Sequence, residues 1–244
     1  MCRMVGIVFR REFPMNALID LKEVARTGRI PGEEVPGHMD GWGIVSFRNG
    51  SPLYVGRSTR PIFLDKSFDS ARQDVQKLGA PNILIAHARA LSTGAATIPN
   101  THPFIMDGVT LCHNGTVKDI MFQTRHSVKG ETDTERLLAR LVDRVEDSGD
   151  LELSIKDLIS RDIRPSEYTA AVMFVSDGRN LYAYRDFSPG RSPEYYDLKM
   201  VTSSDSIVFF QETRMGYDGD VSQVQNGELV TVDLDLKVKR EMLR

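Results

Sequence analysis

Only two cysteines occur in 244 residues, at positions 2 and 112, so a disulfide framework is excluded and at most one bridge could form, which a reducing compartment disfavours. Long apolar runs are missing as well. None approaches the roughly 20 residues a membrane helix needs, and the N-terminal segment has Arg3, Arg10 and Arg11 but not the apolar stretch of a secretion signal. The cytoplasm is therefore the expected location. There is no excess of positive charge: 31 Lys and Arg stand against 34 Asp and Glu, a net charge of -3 with no long run of either sign, which leaves a nucleic-acid partner without electrostatic support. Internal repeats, low-complexity tracts and Pro/Gly/Ser-rich linkers are absent too, and a single domain spanning 1–244 is the economical expectation. The chain does have 41% hydrophobic and 27% charged residues, the balance of a globular protein rather than a disordered one.

Periodicity divides the chain into elements. MVGIVF (4–9) is short, apolar and β-branched, which predicts a buried strand. A helix is expected from Pro14 to Arg26 with Gly28 as its stop, and another from Ser67 to Leu78. GIVSF and PLYV flank Asn49-Gly50, a hairpin signal. ILIAHAR (83–89) and GVTLCHNG (108–115) predict two more strands, separated by a long polar loop. Leu137, Leu138, Leu141, Val142 and Val145 have helical spacing, and Thr132 stands three residues before Glu135 as in a capping box. A further helix is expected over 151–161. From 168 onward the pattern is of strands joined in hairpins, with YTAAVMFVSD and LYAYRD around the Asp177–Asn180 turn, then LKMVTSSD and GELVTVDLDLKV. This order predicts an α+β fold with antiparallel sheets covered by helices.

Cys2 by itself is a weak signal, because a free cysteine usually behaves as a small buried hydrophobe. Its position changes its meaning. Cysteine is small enough for a preceding methionine to be trimmed, which would leave a thiol and a free α-amine on one residue. An α-amine has a pKa of about 7.7–8.0, so part of it is neutral near pH 7 and able to serve as the base for the thiol. Four other stretches stand out: HARALSTG (87–94), NTHPF (100–104), HNG (113–115) and TDTE (132–135).

In that order, and with an N-terminal cysteine, these stretches resemble the class II glutamine amidotransferases, the N-terminal-nucleophile type. HMDGWGI (38–44) is similar to a branch of small stand-alone members that includes the γ-glutamyl hydrolases of ergothioneine synthesis and glutathione breakdown, and NGELVTVD (226–233) resembles the closing strands of the domain. The resemblance implies a four-layer αββα sandwich. It also implies that Cys2 is the nucleophile, that Asn114 and Gly115 form an oxyanion hole, and that Arg89, Ser92 and Asp133 bind glutamine. The chemistry of the residues suits those roles. Glutamine is a zwitterion: a guanidinium grips its α-carboxylate with two parallel bonds, and a carboxylate meets its α-ammonium. An amide NH2 and a backbone N–H beside glycine are donors for a tetrahedral oxyanion. Asn114-Gly115 also serves as an ordinary turn, and both readings can hold at once.

Spacings such as H-x-x-x-H or C-x-x-C do not occur, so no metal is expected and no organic cofactor is needed. Cys112 and His113 are strand neighbours pointing to opposite faces and are not expected to pair. His87 is expected to wall the site, and His126 stands in a polar loop. The Asn114-Gly115-Thr116 glycosylation pattern carries no weight without a secretion signal. Ala90 and Leu91 stand where many members of the family have tryptophan and alanine, and Thr93 where synthase-linked members have histidine, which leaves the γ-glutamyl substrate open. The expected activity is γ-carboxamide cleavage through a Cys2 thioester, with the ammonia released or passed to a separate synthase subunit. The alternatives are a hydrolase of a larger γ-glutamyl compound and a non-catalytic regulatory subunit of the same fold.

Overall fold

The computed structural model describes residues 2–92, 94–118 and 123–243. Strand β1 (Arg3–Phe9) is buried along its whole length, and its alternation shows why. Met4 and Val8 face one apolar cluster, shared with Ile83, Ile85, Cys112, Phe174 and Leu181, while Val5, Ile7 and Phe9 face a second, shared with Leu18, Leu21, Trp42 and Phe68. A strand covered on both faces needs apolar residues at every position rather than every other one.

The remaining elements follow in chain order: α1 (Asn16–Thr27), β2 (Trp42–Arg48), β3 (Ser51–Ser58), α2 (Lys66–Val75), β4 (Asn82–Ala88), β5 (Phe104–Met106), β6 (Val109–Val117), α3 (Asp133–Ser148), α4 (Leu151–Leu158), β7 (Tyr168–Ser176), β8 (Asn180–Arg185), β9 (Lys199–Thr202), β10 (Ser206–Phe210), β11 (Asp220–Gln223), β12 (Glu228–Asp233) and β13 (Val238–Met242). Seven strands form one sheet in the order β11-β9-β10-β1-β4-β2-β3, and six form a second in the order β13-β12-β8-β7-β6-β5; all of the pairings are antiparallel. The sheets face each other across the Met4/Cys112/Phe174 cluster. Helices α1 and α2 cover the outside of the first sheet. Helices α3 and α4 cover the second through Leu137, Leu138, Leu141, Ile155, Met173 and Tyr184. The result is the expected α+β sandwich in four layers, αββα. Each fully buried Leu, Ile or Phe in these interfaces is worth about 1.5–3 kcal/mol of transfer free energy.

Local chemistry accounts for the boundaries. Asn49 and Gly50 both take positive φ, 52° and 76°, as a tight hairpin between β2 and β3 requires. Asp65 caps α2 by accepting from Ser67 N at 3.0 Å. Thr132 caps α3 by accepting from Glu135 N, but the Glu135 carboxylate does not return to the cap; it accepts from Lys129 N and Gly130 N instead, tying down the loop before the helix. Helix α1 begins at Asn16 rather than Pro14, and the helix expected over 151–161 is α4 running into a π-helical turn, Ile159–Ile163. β5 was not expected: it lies inside the polar loop and pairs with β6 across the turn at Asp107-Gly108. The five-residue β10 and the four-residue β11 are also new. Among the described residues no helix is long and apolar enough to cross a membrane.

Candidate active site

The two inner sheets bring Cys2, at the mouth of β1, to Asn114 and Gly115, which lie inside β6 opposite Val172 and Ala171 of β7 and not in the turn that Asn-Gly suggested. Arg3 pairs with Ala88 in β4, which sets Cys2 beside the segment that follows, and Cys2 Sγ lies 3.6 Å from the Ala90 carbonyl. From the other sheet, Asn114 reaches the same point: Cys2 N donates to Asn114 Oδ1 at 2.9 Å, across 112 residues of sequence. That bond fixes the orientation of the amide. Asn114 is fully buried, and its Nδ2 has no hydrogen-bond partner among the described residues. A buried donor left unmade costs about 1–3 kcal/mol, so its presence beside a thiol calls for a chemical explanation.

Gly115 has φ +149°, and a Cβ there would lie 1.9 Å from the Ala170 carbonyl and 2.7 Å from His113 Nε2. Only glycine lets β6 pass so close to β7, and the register between the two strands slips just beyond it. His113 points away from Cys112, as strand alternation requires. Its Nε2 lies 2.9 Å from the Ala170 carbonyl and its Nδ1 3.3 Å from Thr134 Oγ1, while Cys112 sits in the inter-sheet core 3.5 Å from Met4 Sδ.

Arg89 follows β4 and is 3% exposed. Its loop is fastened at several points. Arg89 N donates to Gly41 O, Asp40 N donates to Arg89 O, and the Asp40 carboxylate accepts from Leu91 N at 2.7 Å. Arg89 Nη1 donates to Ala95 O, and Ala95 N donates to Glu131, which also holds Asn100. Asp133 opens α3, where its carboxylate accepts from Val117 N at 2.8 Å and from Thr134 N at 2.9 Å and lies 3.7 Å from His113 Nδ1. Ser92 is exposed on the loop after Arg89; Thr93 and Met1 lie outside the described residues. Arg89 and Asp133 are both within electrostatic reach of the Cys2 thiol. The structure thus gathers Cys2, Asn114, Gly115, Arg89 and Asp133 at one end of the sandwich, with Ser92 at the rim.

Burial pushes the Cys2 thiol above its ordinary value, with Arg89 pulling the other way. Burial also lowers the Arg89 guanidinium, against which Cys2, Asp40 and Glu131 act. His38, His87 and His102 cluster nearby, the last two with ring centroids 4.5 Å apart. Burial, then the Arg3 cation, holds His38 down to about 3, and burial holds His87 and His102 well below the usual imidazole range. These are neutral wall groups rather than bases. Spacing alone did not reveal one further cluster, in which Asp107, His126 and Glu146 converge. There His126 Nδ1 lies 3.2 Å from Asp107, its Nε2 lies 3.3 Å from Glu146 and 3.5 Å from Asp143, and Arg125 pairs with the same two helix acids.

The family model described as "Glutamine amidotransferases class-II" matches residues 1–226. The chain belongs to that family. Among curated relatives it is similar to the glutamine–fructose-6-phosphate aminotransferase (isomerizing) of Bartonella henselae, 23% identical over 99% of this chain, and it spans 38% of that protein's length. Among solved structures it resembles the glutamine phosphoribosylpyrophosphate amidotransferase from B. subtilis, with a TM-score of 0.65 and 18% identity over 100% of this chain and 49% of that one. A glutamine aminotransferase class-II domain protein from Silicibacter pomeroyi gives a TM-score of 0.62 at 15% identity, covering 98% of each chain. The structural likenesses show the fold of a class II amidotransferase. The residues that fasten the site, Arg3, Asp40, Glu131 and Glu212, were not singled out from sequence. The nearest signal was DGWG, which contains Asp40.

Proposed function

We propose that the described residues act as one glutaminase unit, cleaving the γ-carboxamide of glutamine through a thioester on Cys2. The observation that carries this reading is the Asn114 side chain, whose oxygen holds Cys2 N while its buried Nδ2 is left to donate beside the thiol. With Met1 removed, Cys2 N is an α-amine held by Asn114 Oδ1. The neutral amine takes the thiol proton, and sulfur attacks the amide carbon. Asn114 Nδ2 and the Gly115 N–H stabilise the oxyanion, a contribution of about 3–4 kcal/mol for one such donor. Collapse breaks the C–N bond, and the ammonium on Cys2 returns its proton to the leaving nitrogen, giving ammonia and the γ-glutamyl thioester. Water activated by the same amine hydrolyses that ester to glutamate and regenerates the thiol. Arg89 grips the substrate carboxylate, Asp133 its ammonium, and Ser92 adds a hydroxyl at the rim.

A hydrolase of a larger γ-glutamyl amide is the second reading, suggested by the clamp loop, where Ala90 and a 45%-exposed Leu91 stand in place of the tryptophan and alanine of many family members. Ammonia would pass to a separate synthase subunit or be released. The test is mass spectrometry of the trimmed protein with a glutamine-mimicking diazo-ketone, alongside turnover of glutamine and of γ-glutamyl amides. One adduct on Cys2 and loss of turnover in Cys2→Ala are expected. Full turnover by Cys2→Ala would remove the enzyme reading, and slower cleavage of glutamine than of γ-glutamyl amides would favour the hydrolase.

A further inference from the structure

Arg3 has no task in the reaction above, yet it is 4% exposed, and a buried guanidinium is costly unless its charge is matched. The match comes from Glu212: Arg3 Nε and Nη2 both donate to Glu212 Oε2 at 3.0 Å. The strand register foreshadows this pair, since Val5 opposite Phe210 carries outward to Arg3 opposite Glu212. The Tyr195 ring, 4.1 Å from the guanidinium carbon, fixes it from a second side. The third contact is to the nucleophile's own residue, where Nη1 donates to the Cys2 carbonyl at 3.3 Å. Only Cα separates that carbonyl from Cys2 N, so the cation lies within about 7 Å of the α-nitrogen.

We infer that Arg3 and Glu212 are positioning residues that together set the protonation of the Cys2 α-amine, Arg3 favouring its neutral, base-competent form and Glu212 moderating that push. The inference rests on the α-amine reading given under Proposed function. A nearby cation disfavours the charged form of an amine, and a nearby anion favours it. Other groups face the same point: Arg89 from the clamp loop, Asp133 from α3, and Tyr195 and Tyr196 from the segment before β9. His38 and His87, from the loop before β2 and from β4, are neutral, and the Cys112 thiol of β6 is held protonated by burial. Against that background Arg3 is bonded directly to Cys2, and its counter-ion can be altered separately. The other Glu212 oxygen is held by Arg214 at 2.5 Å, so an amide at 212 removes the charge and keeps one acceptor, its oxygen able to hold Arg3 while the contact to Arg214 is given up.

The test is the pH dependence of kcat/KM for glutamine in trimmed wild type, Arg3→Met, Arg3→Lys and Glu212→Gln, since the acid limb reports the base of the free enzyme. Arg3→Met is expected to move the limb to higher pH by about half a unit or more, roughly threefold in rate below the limb, and Arg3→Lys to restore it. Glu212→Gln is expected to move it to lower pH. Opposite shifts from the two halves of one pair are not what loss of packing produces. Limbs that stay in place, or that move in the same direction, overturn the inference. Should Arg3→Met fail to fold, Glu212→Gln decides alone, because an unmoved or raised limb overturns it. A wild-type enzyme without thiol-dependent turnover would overturn the parent reading and this one with it, whereas unmoved limbs overturn only this one.

Discussion

A buried thiol is a poor nucleophile until something takes its proton, and Cys2 is 7% exposed with its pKa raised by that burial. In the proposed mechanism a base bonded to the same residue answers this without a further side chain, since burial leaves the three nearby imidazoles too weakly basic to compete. Asn114→Ala is expected to lower kcat by about 10²–10³ while KM changes little, measured by steady-state release of ammonia. Arg89→Gln is expected to raise KM for glutamine by about tenfold to a hundredfold, the worth of a charge-assisted pair, with Cys2 still labelled by a small uncharged alkylating agent, more slowly because the Arg89 pull on the thiol is gone. The proposed catalytic and substrate-binding groups could be named from the sequence because the family resemblance carries them in short motifs: a terminal thiol, an amide before glycine, one cation and one anion. Arg3 could not be, because its task exists only once Glu212, 209 residues away, is beside it. Asp40 was hidden for a similar reason, its carboxylate acting on the backbone of a loop 51 residues on.

At the scale of elements, length decided what could be read. Helix α3 covers four turns with a cap and an apolar stripe, and β1 and β7 are seven- and nine-residue apolar runs, so each carries its own signal. β5 has three residues and β11 four, too few for a period of two to show; β5 takes the edge of the nine-residue β6, and β11 that of the equally short β9. The half-made capping box has the same moral: Thr132 does what the pattern promises, while Glu135 is recruited by the loop at 129–130. Thr132→Ala is expected to cost about 1 kcal/mol in denaturant unfolding and to weaken substrate binding through Asp133, the next residue. Gly115→Ala is expected to be far more damaging, since its Cβ would overlap the Ala170 carbonyl; thermal melting together with ammonia release would register loss of both stability and turnover.

For the molecule as a whole, burying neutral histidines ties stability to pH. His38 has a folded pKa of about 3 against an ordinary 6.5, and His87 and His102 are depressed as well, so below 6.5 the unfolded chain binds protons that the folded chain refuses. Their contribution is complete above pH 6.5 and is lost as pH falls from there toward 3. Melting temperature is expected to be flat from pH 8 to 7 and to drop increasingly below 6.5, and replacing His38 by glutamine is expected to flatten that drop. The two sheets and their covering helices were legible as a class, α+β with antiparallel hairpins, but the strand order was not. Hydrophobic pattern says that β1 is covered on both faces without saying that β4 and β10 flank it.

That placement has a consequence in time. Strand β1 is closed on one side by residues 82–88 and on the other by residues 206–210, so the strand that holds Cys2 waits for both to be made. At about 5–20 residues per second, synthesis from Arg3 to Glu212 takes roughly 10–40 s, during which the terminus is open to the enzyme that trims methionine. A chain ending at Ser203 would carry Cys2, Arg89, Asn114 and Asp133 and is expected to release no ammonia from glutamine in the same assay. Burying β1 in the middle of a sheet thus makes synthesis through residue 210 a condition for the proposed chemistry.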